Sequence, residues 1–251
     1  VRKTPTDVVT TPVIGIIAAL PREVFGLIAR MDIIGEETTE GRSVLWGRLN
    51  RKDIVVMIGG VGMKNARAAV RNLIRRHRPE LILSAGFAGG LDPALALGDA
   101  VVPSRIIDER GGRIDTPPDL LERLLSALPD AETGSALTTP RFIPDKSEKE
   151  DLFRRYGARA VDMESMAVAA EAAACGLPHL ALRVISDTAL QTLPPLSQFL
   201  DADGDVVPMR AVRYFIRHPR HLIPTIRFTT GLGPAAQSLT GLLVTAVTEL
   251  P

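Results

Sequence analysis

The sequence has few of the residues that form crosslinks or stack rings. Across 251 residues there is one cysteine, one tryptophan and two tyrosines, and aromatic side chains make up 4%. A lone Cys175 cannot close an internal disulfide, which excludes a disulfide scaffold and leads us to expect a reducing, cytoplasmic setting. No His or Cys stands at metal-ligand spacing from it, so no metal is expected, and its alanine-rich surroundings (Glu171-Ala-Ala-Ala-Cys-Gly176) predict a packing role. Apolar runs of the ~18 residues a spanning helix needs are also missing. Acidic residues are absent from Val206 to Thr248, so residues 206–251 hold five Arg against Glu249 alone, and the preceding 205 residues carry a net −3. The whole chain is nearly neutral at +1, with 45% hydrophobic and 24% charged residues. That composition excludes disordered and collagen-like classes and describes a soluble globular chain.

Short apolar runs bounded by turn residues recur: Val13 to Leu20, Ile54 to Ile58, Leu81 to Leu83, Ala100 to Val102 and His179 to Ile185. They are rich in Val, Ile and Leu, as strands covered on both faces are. The first follows Arg2-Lys3 and has the lengths of a signal peptide. Pro21-Arg22-Glu23 stands where a small-residue cleavage site belongs, and a buried first strand is the reading adopted. Met63 to His77 puts Ala66, Ala69, Val70, Leu73 and Ile74 on one helical stripe, and Met163 to Ala174 is an alanine-rich helix that stops near Gly176-Leu-Pro178. Alternating strands and helices predict one α/β domain over residues 1–251 with a largely parallel sheet. Asp108 to Asp119, with Gly111-Gly112 and Pro117-Pro118, reads as a long loop of the kind that is often functional.

Two glycine clusters, Gly59-Gly60-Val61-Gly62 and Gly86-Phe87-Ala88-Gly89-Gly90, follow strand candidates. They suit either close approach to a ligand or a tight strand-to-helix connection, and neither has dinucleotide or Walker spacing. In Ala160-Val-Asp-Met-Glu-Ser165, Asp162 and Glu164 stand at a helix entrance, and the next strand ends Arg183-Val-Ile-Ser-Asp187. Helix caps and a surface ion pair are one reading. A ligand site outside the carboxyl ends of parallel strands is the other.

These segments, with Val13-Ile-Gly-Ile-Ile-Ala-Ala-Leu-Pro-Arg-Glu-Val24, Ser84 to Pro93 and Gly98-Asp-Ala-Val-Val102, resemble in order and spacing the purine and uridine phosphorylase superfamily. The opening is most similar to the methylthioadenosine/S-adenosylhomocysteine nucleosidase branch. The stretch from Leu91 onward, with Ala189 to Pro195 and Phe215 to Pro224, also resembles hopanoid-associated (adenosylhopane) nucleosidases. The resemblance implies a three-layer α/β sandwich with a mixed, mostly parallel sheet flanked by helices. It implies cleavage of an N-ribosidic bond through an oxocarbenium-like transition state, without a cofactor, phosphate being a conceivable co-substrate.

Residue by residue, the resemblance makes Asp187 the acid toward purine N7, and Glu23 the carboxylate that orients or deprotonates water, with Arg183 beside it. Glu164 takes the ribose hydroxyls, Met163 packs on the sugar, Phe142 stacks on the base and the next amide, Ile143, recognises adenine. Gly62 and Phe87 fall at the substrate site. Phe87 replaces the Ser of the nucleosidases' Gly-Ser-Ala-Gly-Gly and so removes a hydroxyl beside the nucleophile. Arg22 stands where some phosphorylases bind phosphate. Three functions stay open: hydrolysis of an adenine nucleoside, phosphorolysis, and nucleoside binding without turnover. A homodimer or higher assembly is implied, and no nucleic acid partner is expected. Arg210, Arg213, Arg217, Arg220 and Arg227 alternate with apolar residues in the tail, which reads either as helices packed on the body or as a contact with an anionic membrane surface.

Overall fold

A computed structural model describes residues 13–193 and 222–251, with the side chains of 222–231 left aside. The strands are β1 (Val13–Ala18), β2 (Asp32–Thr39), β3 (Arg42–Leu49), β4 (Lys52–Ile58), β5 (Leu81–Gly90), β6 (Ala100–Val101), β7 (Arg105–Asp108), β8 (Arg113–Asp115), β9 (Ser135–Thr138), β10 (Ala158–Asp162) and β11 (His179–Asp187). The helices are α1 (Pro21–Ile28), α2 (Met63–His77), α3 (Pro118–Ala127), α4 (Lys146–Tyr156), α5 (Ser165–Ala174) and α6 (Leu222–Glu249).

One mixed sheet runs β2-β3-β4-β1-β5-β10-β9-β7-β8, with β11 branching from β5 and carrying β6. The apolar strands β1, β4, β5 and β11 are parallel neighbours, as their double-sided burial demands. Helices α2 and α5 cover one face through Ala66, Ala69, Val70, Leu73, Ala167 and Val168. Helices α1, α3 and α6 cover the other through residues such as Val24, Leu27, Leu124, Leu239 and Leu243. This is the three-layer α/β fold with a mixed sheet. Among the described residues no helix is long and apolar enough to cross a membrane.

The branch at β5 makes room for a site. Leu81 to Ala85 pair with β1 on one side, and Gly89 and Gly90 then pair with β10 on that same side. Between these ladders β5 changes partner, while β11 accompanies it along its other edge as far as Gly89. Residues Gly86 to Ala88 therefore face a split in the sheet, at the carboxyl end of β1.

Three expectations need correction. Gly86 to Gly90 is not a turn after a strand but the second half of β5 itself, its small residues fitting where the strand switches partners. The stretch from Asp108 to Asp119 is not a long loop: Asp108 accepts from the amides of Arg110 and Gly112 to close a hairpin between β7 and β8, and α3 begins at Pro118. Cys175 is exposed at the end of α5, so packing does not account for it. The basic stretch from Arg210 to Arg220 lies outside the described residues, as does the side chain of Arg227.

Helix α6 buries Leu239, Leu242, Leu243, Ala246 and Val247 in the layer it shares with α1. Leu243→Ala is expected to lower unfolding stability by about 2–5 kcal/mol, the range for emptying a packed leucine site, and a urea melt reads this as a lower midpoint with an unchanged slope.

Candidate active site

Glu23 occupies the third position of α1, behind Pro21, and folds back over the helix start. Its Oε2 accepts from the amides of Ala19 and Leu20, both at 2.8 Å, and its Oε1 from that of Phe87 at 3.1 Å. The last of these is the amide left free by the partner change in β5. A Cβ at Gly86 would lie 2.9 Å from Oε1, so the carboxylate can settle there only over a glycine. A carboxylate has about four lone-pair directions. Three are used, and one on Oε1 remains for a further donor. Burial raises the Glu23 pKa above the ordinary value, while the Leu20 and Phe87 amides and the Arg183 charge pull it down.

Arg183 and Asp162 form a buried pair between β11 and the end of β10, with Nε to Oδ2 at 2.7 Å. Nη1 of Arg183 donates to the carbonyls of Ser84 and Leu182, and Nη2 to the hydroxyls of Ser84 and Ser165. All five guanidinium N–H groups are thus directed at protein oxygens. Arg183 has no donor left for water or substrate, which corrects its expected place among the reacting groups: it is a brace and a fixed charge. Asp162 also accepts from the amides of Glu164 and Ser165 and the hydroxyl of Thr138. Burial works against its charge, yet Arg183 and these hydroxyls hold its carboxyl below the usual range. The pair is buried rather than superficial, and capping of α5 by Asp162 is a second use of the same oxygens.

Glu164 has partners of its own. Its Oε1 accepts from the amide of Gly62 at 2.6 Å, and Gly62 presents that N–H from a backbone at φ +93°, a conformation suited to glycine. Burial first, and the neighbouring Asp162 charge next, push the Glu164 pKa up to about 7. Asp187 ends β11; Oδ1 accepts from the Ser186 hydroxyl at 2.7 Å and Oδ2 from Lys149 Nζ at 2.5 Å. It lines a cavity with Gly89, Phe142, Ile143, Val161 and Met163.

Of the expected residues, Asp187, Met163, Phe142 and Ile143 line one cavity, Glu164 is hydrogen-bonded to Gly62 beside it, and Glu23 sits at the split in the sheet; two others stand apart, besides Arg183. Phe87 brings its amide to the site, while its ring packs toward the layer shared by α1 and α6. Arg22 is exposed on the first turn of α1 and lines neither this cavity nor the one beside Gly59 and Gly60. Lys149 was not anticipated. Its signal was present in α4, where Lys149, Leu152, Phe153 and Tyr156 share one helical stripe and a lysine takes an apolar position. Among the described residues no three His, Cys, Asp or Glu side chains converge as metal ligands.

A mixed sheet that splits beside β5, with carboxylates from α1, the start of α5 and the end of β11 nearby, is the kind of place where α/β proteins bind ligands. The family model of the phosphorylase superfamily matches residues 13–211, and the chain belongs to that superfamily. It is an enzyme of N-glycosyl bonds, a hydrolase or pentosyltransferase. The 5'-methylthioadenosine/S-adenosylhomocysteine nucleosidase of Listeria innocua is 30% identical over 204 residues, 71% of this chain and 87% of that protein. The nucleosidase of the same name from a Marinomonas species is 30% identical over 72% of this chain and 88% of its own. Among solved structures, the S-adenosylhomocysteine nucleosidase of Streptococcus pyogenes in complex with 5-methylthiotubericidin superposes with a TM-score of 0.78 at 21% identity, covering 97% of this chain and 99% of that one. The futalosine hydrolase of Helicobacter pylori gives 0.76 at 21% identity, covering 96% of this chain and 99% of its own.

Glu164 carries a measurable consequence. Its pKa rises from 4.5 to about 7 on folding, so the folded state favours the protonated form. The stability this confers is complete below pH 4.5 and is lost as pH rises through about 7. Glu164→Gln, which stays neutral and still accepts from Gly62, is expected to melt above the unaltered protein at pH 8. The gain is at most about 3 kcal/mol, reduced by solvent access to the half-buried side chain. Thermal melts at pH 4.5 and pH 8 check this, the difference closing at the lower pH.

Proposed function

We propose that the protein is a nucleosidase that hydrolyses the N-ribosidic bond of an adenine nucleoside bearing a 5′ substituent, releasing adenine. The observation that carries this reading is that Asp187 lines a cavity with Phe142, Ile143 and Met163, while Glu164, the residue after Met163, and Glu23 are carboxylates near each other, each in a different environment. Glu23 keeps one open lone pair beside a fixed set of amides, which suits orienting and deprotonating a water. Glu164 accepts the ribose hydroxyls and Met163 packs on the sugar. Asp187, which lines one cavity with Phe142 and Ile143, passes a proton to N7 as the C1′–N9 bond opens, so that adenine leaves neutral. Phe142 stacks on the base, and the Ile143 amide reads its edge.

Water rather than phosphate is favoured by the donors available. The amides of Ala19, Leu20, Phe87 and Gly62 are occupied by Glu23 and Glu164, Arg183 is saturated, and Arg22 is exposed. A phosphate oxyanion needs several such donors, whereas a water needs an acceptor. The names of the Listeria and Marinomonas relatives support an adenine nucleoside, and the futalosine hydrolase neighbour widens the range of 5′ groups to be tried. We carry forward a single-domain protein without cofactor, acting in the cytoplasm as a homodimer or larger assembly. The exposed Phe25, Ile33 and Ile34 offer apolar surface for that contact. Contact of the basic tail with an anionic membrane, suited to a lipid 5′ group as in adenosylhopane, rests on sequence alone.

Chromatography of reactions with methylthioadenosine, S-adenosylhomocysteine and adenosine should show free adenine at the same rate with and without phosphate. An absolute phosphate requirement would transfer the protein to the phosphorylases, and absence of adenine under both conditions would leave a binding protein. Asp187→Asn should still bind nucleoside while losing roughly a hundredfold or more in kcat, the scale of general acid catalysis.

A further inference from the structure

Lys149 is wholly buried, on an otherwise polar helix, and its contacts are complete. Nζ donates to Asp187 Oδ2 at 2.5 Å, to the Thr188 carbonyl at 2.9 Å and to the Gln191 carbonyl at 3.2 Å. An ammonium has three donors and no acceptor, and here each donor has an oxygen. A lysine whose task was packing would be replaced at no loss by a leucine, since its desolvation is expensive. Its head instead spans from α4 to the last residue of β11 and the turn that follows. That turn is itself closed by the Gln191 amide donating to the Thr188 carbonyl, and is tied back to the segment before α4 by the Leu193 amide donating to the Pro144 carbonyl.

Asp187 thus has one oxygen on Ser186 and the other on Lys149, and the second faces Gly89, whose Cβ position lies 3.2 Å from it, beside the cavity. We infer that Lys149 is the positioning residue for protonation of the leaving base, holding Asp187 Oδ2 toward N7. The inference rests on the reading of Asp187 as the acid. In the step, the C1′–N9 bond breaks with its electron pair going to the base, and N7 gains the proton of Asp187. Water attacking C1′ releases one proton to Glu23 and on to solvent, and a solvent proton restores Asp187 through the cavity once the base has left, so the cycle closes without another reagent.

Lys149→Met and Lys149→Gln separate this from a structural role. On whichever nucleoside the unaltered protein hydrolyses, kcat should fall at least tenfold with KM within about threefold, the pattern of an interaction used in the transition state. Free adenine should bind the variants at least tenfold more weakly than the unaltered protein, whereas 7-deazaadenine, which has no N7 acceptor, should bind them equally. Equal weakening of both bases, or an unchanged kcat in a folded variant, overturns the inference. If neither variant folds, nitrogen-15 spectra of the lysine ammonium groups in the unaltered protein decide. The Lys149 resonance, assigned by its response to Asp187→Asn, should move with adenine and stay in place with 7-deazaadenine, and the inference fails if it ignores adenine. Should the unaltered protein release no adenine from any nucleoside, the proposed function fails instead.

Discussion

Arg183 places a full positive charge where almost no water reaches it, and the geometry around it follows from that constraint. Desolvating a guanidinium is costly, and removing one partner of a buried pair costs about 3–5 kcal/mol because the other charge is left alone. Here the charge is met by Asp162 and by oxygens of Ser84, Leu182 and Ser165. Those residues belong to β5, β10, β11 and the start of α5, so a single side chain fixes four elements at the place where the sheet divides. The orientation of Asp162 then follows, and with it the amides of Glu164 and Ser165 that open α5.

The same pair sets the charges of the neighbouring groups. Asp162 is the closest reason, after burial, that Glu164 gives up its proton only near pH 7, while Arg183 pulls both Glu164 and Glu23 the other way. Glu23 is further restrained by three amides, and Asp187 by a hydroxyl and an ammonium. Three carboxyl groups with ordinary chemistry are thereby made unequal by their surroundings, which is the condition for dividing acid, base and binding duties among like side chains.

Much of this was legible in the chain itself. The helix read from Met63 to His77 has those bounds in the fold, because its stripe of Ala, Val and Leu is regular and Pro79 follows. The buried parallel strands were legible for the same reason: continuous Val, Ile and Leu leave few alternatives. The hairpin of β2 and β3 escaped because it lies at the sheet edge, where Ile33 and Ile34 are exposed and the alternation is blurred. Helix α4 escaped because Lys149 interrupts the one apolar face of a polar segment. The second half of β5 was hidden by its glycines, which look like a turn until the Glu23 carboxylate is seen lying over Gly86. The identities of Glu23, Glu164 and Asp187 could be carried from the resemblance, whereas the saturation of Arg183 and the pairing of Asp187 with Lys149 depend on distances that spacing does not encode.

What the cleft offers a ligand also follows from how its donors are used. The amides of Ala19, Leu20, Phe87 and Gly62 are turned toward Glu23 and Glu164, and Arg183 toward Asp162 and neighbouring protein oxygens, so none of these donors is left for a ligand. An anionic nucleophile would have to replace its hydration with donors other than these. In the proposed hydrolysis, a ribosyl group developing positive charge at C1′ would meet carboxylates already fixed in place by bonds that need no rearrangement as the charge appears. The ammonium of Lys149 is hydrogen-bonded to Asp187, the group that the proposed reaction assigns to the departing base. Stability and chemistry are coupled at this point. Each amide that anchors Glu23 or Glu164 helps close the fold around the split in the sheet, and the same anchoring withholds that amide from a bound anion.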